Sequence, residues 1–237
     1  MEFGELVEPD TRAFWENYDE FDDENIQTQP LSWKWMDEDF GDINKIEKFK
    51  NFYILEGRGI FDFIQTTVLK QLSPICQIDG RKTSVYKLTT NDEYLCISED
   101  IDLDQAATIT DLLSPWLSKA ENVFVFTFKS AYSYNTDKKF DKRCFVRTIS
   151  NNNTIDIRDL EFVAPMEDCN IIYGISAGVS TWRQINNLPF NCFAIYTDSI
   201  QIDSVVAAPV LKLFARLGLK CDTSYSFKNV NTSNLYI

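Results

Sequence analysis

The chain has 237 residues, of which 44% are hydrophobic and 25% are charged, and its formal net charge is −13. This length suits one large or two small domains with a core that needs no disulfide or metal to stabilise it. Histidine is absent, which removes the commonest general base and the commonest transition-metal ligand. No two of the six cysteines have C-x-x-C spacing. We therefore expect neither a metal nor a cofactor.

The negative charge is concentrated at the N-terminus. Residues 1–42 contain fourteen acidic and two basic residues, a net charge of −12, so that the other 195 residues carry −1. This distribution provides no basic surface for nucleic acid. The chain also lacks a run of about 20 apolar residues that could span a membrane, and it lacks the pattern of a signal peptide. The sequence thus predicts a soluble intracellular protein with no nucleic-acid or membrane partner.

Residues 1–44 are predicted to form a mostly disordered leader, because blocks of like charge repel one another and oppose collapse. The leader also has a high density of aromatic side chains, which are Phe14, Trp15, Tyr18, Phe21, Trp33, Trp35 and Phe40. Two interpretations are open. The rings either anchor the leader to a partner protein, as in other acidic segments rich in aromatics, or fold back onto the domain that follows.

Residues 45–222 alternate between patterns typical of strands and of helices. Apolar runs predict strands over 51–56, 75–78, 84–88, 94–98, 123–128, 143–149 and 190–197. Helical spacing of apolar residues predicts helices over 60–72, 102–119, 170–186 and 203–218, with Pro115 and Pro209 as points where a helix could break or kink. This order predicts an α/β domain with a mixed central sheet flanked by helices. Residues 223–237 turn polar and are predicted to form a flexible C-terminal tail.

One motif is typical of an enzyme. Residues 174–178 match G-x-S-x-G, the nucleophile elbow of α/β-hydrolases, with Ser176 as the nucleophile. The serine of that family passes its proton to a histidine, which this chain lacks. The motif also lies within a helical pattern, whereas an elbow joins a strand to a helix. We therefore interpret Gly174, Ala177 and Gly178 as small residues that allow close helix packing.

The glycine pair at residues 57 and 59 is weak evidence for a ligand site. Gly57-Arg58-Gly59 follows a predicted strand and opens a predicted helix, as the phosphate loop of a dinucleotide-binding domain does. The third glycine of that motif is replaced by Asp62, whose carboxylate would repel a phosphate. We interpret this segment as a structural turn.

The tail ends in Leu235, Tyr236 and Ile237. Leu235 suits an apolar slot, the Tyr236 ring can pack while its hydroxyl finds a partner, and the terminal carboxylate suits a lysine. This ending resembles the hydrophobic–Tyr–X motif that enters pockets between the α subunits of a proteasome core particle. Residues 223–237 could reach up to ~50 Å when fully extended, although so short a tail binds weakly unless a globular platform raises its effective concentration.

In these features the chain resembles the proteasome assembly chaperone 1 family. The start MEFGELVEP and the acidic stretch after it are similar to the beginning of that family. Residues 170–214 are the best match, in particular the segment LPFNCFAIYTD at 188–198. The helix and the tail ending apolar–Tyr–X follow in the same order, whereas residues 75–165 match only in their pattern of elements.

The resemblance implies a chaperone without enzymatic activity, located in the cytoplasm and extending to the nucleus. It would pair with proteasome assembly chaperone 2 as a heterodimer and bind the α subunits of the forming core particle. Leu235, Tyr236 and Ile237 would insert between subunits of the α ring, promote its assembly and block premature capping by activators. Two other functions remain open: a hydrolase or phosphorylase-like enzyme that uses Ser176, and a regulator of the mature proteasome that uses the same tail.

Overall fold

The computed structural model describes residues 30–36, 41–70, 72–88, 92–99, 102–137, 142–151, 159–199 and 202–222. Its strands are β1 (Trp33–Trp35), β2 (Phe49–Glu56), β3 (Cys76–Ile78), β4 (Thr83–Lys87), β5 (Tyr94–Ser98), β6 (Ala120–Ser130), β7 (Cys144–Ser150), β8 (Val163–Pro165) and β9 (Phe190–Thr197). Its α-helices are α1 (Ile60–Ile64), α2 (Leu103–Lys119), α3 (Ile175–Ile185) and α4 (Ser204–Arg216).

Within the described residues the strands form one sheet in the order β1-β3-β4-β5-β2-β6-β9-β7-β8. The centre is parallel, since β2 pairs in parallel with β5 and β6, and β6 pairs in parallel with β9. The flanks are largely antiparallel, through β1, β3, β4 and β5 on one side and β7 against β9 on the other. The predicted mixed sheet is therefore confirmed.

Both faces of the sheet are covered by helices. Successive residues of a strand point to opposite faces, and in β2 the side chains of Phe52 and Ile54 join one apolar cluster while Tyr53 and Leu55 join another. Helices α2 and α3 contribute to the first cluster, and α1 and α4 contribute to the second. The result is a layered α/β domain with a core on each side of the sheet, as the sequence predicts.

The helix boundaries differ from the predictions at several points. The first helix continues through a π-helical turn, Gln65–Leu69, and ends at Lys70, which has a φ of 51°. Helix α3 begins at Ile175 instead of residue 170, because Gly174 has a left-handed φ of 82° that cannot continue a helix. Pro115 and Pro209 lie inside α2 and α4 without ending either helix.

Part of the predicted leader belongs to the sheet. Strand β1 adds an edge to β3, with Trp33 opposite Ile78. Trp33 donates its indole N–H to the carbonyl of Leu112 at 3.0 Å, and the ring of Trp35 stacks on that of Trp116 at a centroid distance of 6.2 Å. For these two rings the structure shows that they fold back onto the domain. Residues 1–29, 37–40 and 223–237 lie outside the described residues, so that the predictions for those parts of the leader and for the tail stay predictions.

No helix in the described part of the chain is long and apolar enough to cross a membrane.

Candidate functional site

A cleft with a volume of about 580 Å³ opens at the edge of the sheet where the parallel strands β2, β6 and β9 end. Its lining includes the last residue of each of these strands, Glu56, Ser130 and Thr197. In α/β sheets with a parallel centre, ligands bind outside the carboxyl ends of the strands, and this volume lies within the range of small-molecule sites. The cleft is therefore the candidate functional site of the described residues.

The Glu56 carboxylate caps helix α3 from the floor of the cleft. Glu56 is only 5% exposed, and its two carboxylate oxygens accept hydrogen bonds from the backbone N–H of Ile175 at 2.8 Å and of Ser176 at 3.0 Å. The Ser176 hydroxyl donates a further hydrogen bond to the same carboxylate. The first N–H groups of a helix lack partners within the helix and carry partial positive charge. Their hydrogen bonds therefore stabilise the negative charge of the buried Glu56 side chain.

Gly174 permits this contact. A Cβ at this position would lie 2.3 Å from a carboxylate oxygen of Glu56, and the backbone has a φ of 82° with a ψ of −157°, a region that only glycine adopts readily. The glycine at the start of the G-x-S-x-G motif thus allows a buried acid to approach a helix N-terminus.

Ser176 has a structural role. It lies in the first turn of α3, its exposure is 0%, and its hydroxyl is hydrogen-bonded to Glu56. Such a group is not accessible to a substrate, and the carboxylate beside it is held by the N–H groups at the start of α3. The last glycine of the motif packs α3 against α2, because a Cβ on Gly178 would lie 2.3 Å from the hydroxyl oxygen of Thr110. The interpretation of the motif as a packing feature is confirmed at Gly178.

Lys129 is the buried cation of the cleft. It is 8% exposed, and its Nζ lies 3.1 Å from the centroid of the Tyr173 ring, a cation–π contact. Among the described residues no acceptor lies within hydrogen-bonding distance of this Nζ. Burial lowers the pKa of Lys129, and the negative charge of Glu56 opposes that effect.

The other charged groups of the lining are Arg58 and Asp198. Arg58 is exposed between Gly57 and Gly59, and none of the described acidic groups forms an ion pair with it. Asp198, in contrast, accepts a hydrogen bond from Arg143 Nε at 2.7 Å. The two carboxylates of the cleft are therefore already bound by donors of the chain, whereas its two cations have no acceptor in the part of the chain that the structure describes.

These cleft residues were not predicted from the sequence as a site, apart from the attention given to residues 57–59. A signal was present, since Glu56 and Lys129 are charged residues at the ends of long apolar runs, NFYILE and VFVFTFK. A buried parallel strand reads as a near-continuous apolar run, so a charged residue that ends the run marks an edge of the sheet. What the sequence does not reveal is that the two runs are neighbours in the sheet.

The predicted site residues Leu235, Tyr236 and Ile237 lie outside the described residues. The last described residue, Asp222, donates its backbone N–H to the carbonyl of Thr67 at 2.7 Å, and its carboxylate lies 3.4 Å from Lys70 Nζ. Thr67 is separated from Ile60, which lines the cleft, by on the order of 10 Å of helix. The root of the tail and the cleft are thus at different places on the domain.

No family model matches the chain, and no curated protein matches it by sequence. Several solved structures do match. One is PbaB of Pyrococcus furiosus, described as an archaeal proteasome activator, with a TM-score of 0.58 and 12% identity over 82% of this chain and 91% of that one. Another is PbaA of the same organism, described as an archaeal homolog of proteasome-assembly chaperone, with a TM-score of 0.56 and 15% identity over 82% of this chain and 89% of that one.

The chain has the fold of these archaeal proteins. A protein of unknown function from Thermoplasma acidophilum shares it too, with a TM-score of 0.57 and 9% identity over 76% of this chain and 80% of that one. Because the described fold covers most of each of these chains, the likeness extends to the whole α/β domain. Function is a separate question, since one fold supports many functions.

Proposed function

We propose that this protein is a proteasome assembly chaperone that acts by binding and has no catalytic activity. The observation that carries the proposal is the fold shared with PbaA, which is described as a homolog of proteasome-assembly chaperone. The C-terminal residues Leu235, Tyr236 and Ile237 support it independently, because their chemistry suits a pocket between α subunits.

In the full form of the proposal the chain pairs with proteasome assembly chaperone 2 and binds the α ring of the forming core particle. The domain supplies a platform for the tail. Gly218, with a φ of 85°, ends α4, and the Leu219 side chain that follows is fully buried. Asp222 is then held by Thr67 and Lys70, so that the tail starts from a fixed point. A fixed origin raises the effective concentration of a weakly binding tail.

The test is a tagged pull-down from cell extract with the intact chain and with a chain that lacks Leu235, Tyr236 and Ile237. We expect the intact chain to bring down α subunits and a second chaperone. The truncated chain should lose mainly the α subunits, because the partner chaperone binds the domain. If neither form brings down α subunits, the proposal is wrong.

A regulator of the mature proteasome is the second candidate, and the fold shared with PbaB, described as an archaeal proteasome activator, favours it. The two functions differ in the particle that is bound. A chaperone associates with α-ring intermediates and is missing from active particles, whereas an activator associates with active particles and increases peptide hydrolysis. Size fractionation of the pull-down followed by a peptidase assay distinguishes them.

The enzyme alternative is not favoured, because Ser176 is fully buried and bound to Glu56. Incubation with generic ester and nucleoside substrates tests it directly. Turnover that disappears in Ser176→Ala would contradict a function by binding alone.

A further inference from the structure

The cleft at the carboxyl edge of β2, β6 and β9 holds a buried ammonium group for which the described residues offer no hydrogen-bond acceptor. Burying a charge is costly unless it is paired and hydrogen-bonded, and an ammonium group has three hydrogens to donate. Lys129 is 8% exposed and makes a cation–π contact with Tyr173, which offsets part of that cost but accepts no conventional hydrogen bond.

The nearby carboxylates do not accept a hydrogen bond from the Lys129 ammonium group. Glu56 is the carboxylate that acts on the Lys129 charge, yet no oxygen of it lies within 4.0 Å of the ammonium, and both its oxygens accept hydrogen bonds from the start of α3. Asp198 is bound by Arg143. Arg58 adds a second cation to the lining without an ion pair among the described residues. The described lining thus holds two cations that form no ion pair within it, next to two carboxylates that already accept hydrogen bonds.

Much of the remaining lining is suited to an apolar body, although the hydroxyl residues Thr127, Ser130, Thr197 and Ser199 also belong to it. Ile60, Phe128 and Ile202 contribute aliphatic and aromatic surface, and Tyr132 and Tyr173, which are 88% and 55% exposed, stand where their rings are open to solvent. A mostly apolar cleft with a few polar groups is the usual form of a small-molecule site. We propose that this cleft binds an amphipathic monocarboxylate, with its carboxylate on Lys129 and its apolar body against these side chains.

A carboxylate is favoured over a phosphate by the two acids in the lining. Glu56 and Asp198 place two carboxylates in the lining, and a dianion would be repelled by both more strongly than a monoanion. Of the two cations in the described lining only Lys129 is buried, so the cleft presents one desolvated positive charge, which a monoanion matches. The proposal does not depend on binding to a proteasome.

The experiment is a ligand-observed NMR screen of the full chain with aryl and alkyl carboxylic acids, each paired with its primary amide. The amide has nearly the same shape but no charge. We expect acids to bind about tenfold to a hundredfold more tightly than their amides, since a hydrogen bond to a charged group has that effect. If no acid binds at millimolar concentration, or if acids and amides bind equally well, the proposal is wrong.

Variants place the binding in the cleft. Lys129→Met should lose the preference for the acid, whereas Lys48→Met, an exposed lysine just before β2 at the other end of that strand, should keep it. Arg58 lies in an exposed turn, so Arg58→Gln removes the second positive charge of the cleft without disturbing the core. It should weaken acid binding severalfold, which tests the site even if Lys129→Met does not fold. Unchanged acid binding in the folded variants of the cleft would overturn the proposal.

The carboxylate could belong to a free small molecule or to the end of a peptide. The acid that binds best is therefore tested alone and as the last residue of a tetrapeptide, with a free or an amidated C-terminus. Binding of the free acid alone identifies a small molecule, and equal binding of the peptide acid identifies a chain terminus. Either result supports the carboxylate site, whereas binding of the amidated peptide as tight as that of the acid contradicts it.

Discussion

Gly174 is a residue whose identity follows from its surroundings. Its φ of 82° costs any other residue conformational energy, and its missing Cβ leaves room for the Glu56 carboxylate at the start of α3. Gly80 offers a matched control, because it has a φ of 67° and nothing lies within 4 Å of the Cβ that would be added. The two positions separate backbone strain from the loss of the carboxylate contact.

We expect Gly174→Ala to lower the free energy of unfolding by about 3 kcal/mol or more, since backbone strain and the displacement of Glu56 act together. Gly80→Ala should cost only about 1–2 kcal/mol from its left-handed backbone. Chemical denaturation of both variants measures the difference. Equal losses would mean that Glu56 moves aside without cost.

Asp203 illustrates how a surface carboxylate fixes a helix. It caps α4 by accepting hydrogen bonds from the N–H of Val205 at 3.0 Å and of Val206 at 2.9 Å, and its carboxylate also lies 2.8 Å from Arg143 Nη1. The hydrogen bond from Val206 is the largest cause of a lowered pKa at Asp203, and the Arg143 guanidinium adds to it. The folded protein therefore prefers the ionised form.

We expect Asp203→Ala to lower the free energy of unfolding by about 1 kcal/mol at neutral pH, the usual effect of a lost N-cap. The folded-state pKa lies below the ordinary value of 3.8, so the contribution is complete above pH 3.8 and is lost as the pH falls through the folded-state value. Asp203→Asn should keep most of the cap at neutral pH. Denaturation as a function of pH checks both statements, and a difference between Asp203→Ala and the wild type that did not decrease in acid would contradict them.

At the scale of elements, α2 and α3 approach closely where Gly178 faces Thr110. The distance of 2.3 Å between a Cβ at residue 178 and Thr110 Oγ1 leaves no room for a methyl group. The Thr110 hydroxyl is also fixed, because it donates a hydrogen bond to the carbonyl of Ala106 at 2.7 Å. The spacing of the two helices therefore depends on this pair.

We expect Gly178→Ala to destabilise the domain by about 1–3 kcal/mol through overpacking. Thr110→Ala should restore part of that loss in the double variant, because it removes the atoms that the new methyl group meets. A double-mutant cycle measured by denaturation gives the coupling directly. Additive effects would show that the helices move apart instead.

Another contact between elements depends on Arg183, which is fully buried in α3. Its guanidinium donates to the carbonyls of Leu117, Ala120 and Glu121, at the end of α2 and the start of β6, and to that of Pro189. Burial lowers its pKa to about 10, which still leaves it charged at neutral pH. A single side chain thus satisfies carbonyls that the end of a helix leaves without partners.

For the molecule as a whole, the proposed function separates stability from binding. The apolar core of the described residues lies in the sheet and its helices, and the proposed function assigns Tyr236 to a pocket of another protein. Tyr236→Ala should therefore weaken the binding of α subunits by at least about tenfold and leave the melting temperature unchanged. A binding assay with immobilised α rings measures the change in affinity, and calorimetry measures the melting temperature. A large drop in melting temperature would show that the tail belongs to the core.

The terminal carboxylate is tested separately. One glycine appended after Ile237 keeps every side chain and moves the charge by one residue. If the pocket recognises the carboxylate, binding to the α ring should fall about tenfold or more, the usual effect of losing a charge-assisted contact. An unchanged affinity would mean that the chain end is not recognised.

The sequence predicts the long elements well, because their signal is local. The apolar run at Phe190–Thr197 coincides with β9, and the prediction over 102–119 is one residue longer than α2. The short edge strands β1 and β8 were not predicted, since three residues carry too little pattern and depend on a neighbouring strand. The start of α3 was placed five residues early, because its cap is the distant Glu56 and no residue of the segment itself.

The sequence by itself determined the class of fold, the acidic N-terminus and the chemistry of the last three residues, since each depends on residues that are neighbours along the chain. Only the tertiary structure decided the role of Ser176 and the existence of the cleft. Lys129 and Tyr173 are 44 positions apart in the sequence, and Glu56 is further still from the helix that it caps. Such groups meet because parallel strands end at one edge of the sheet, and strand order is set by packing over the whole domain.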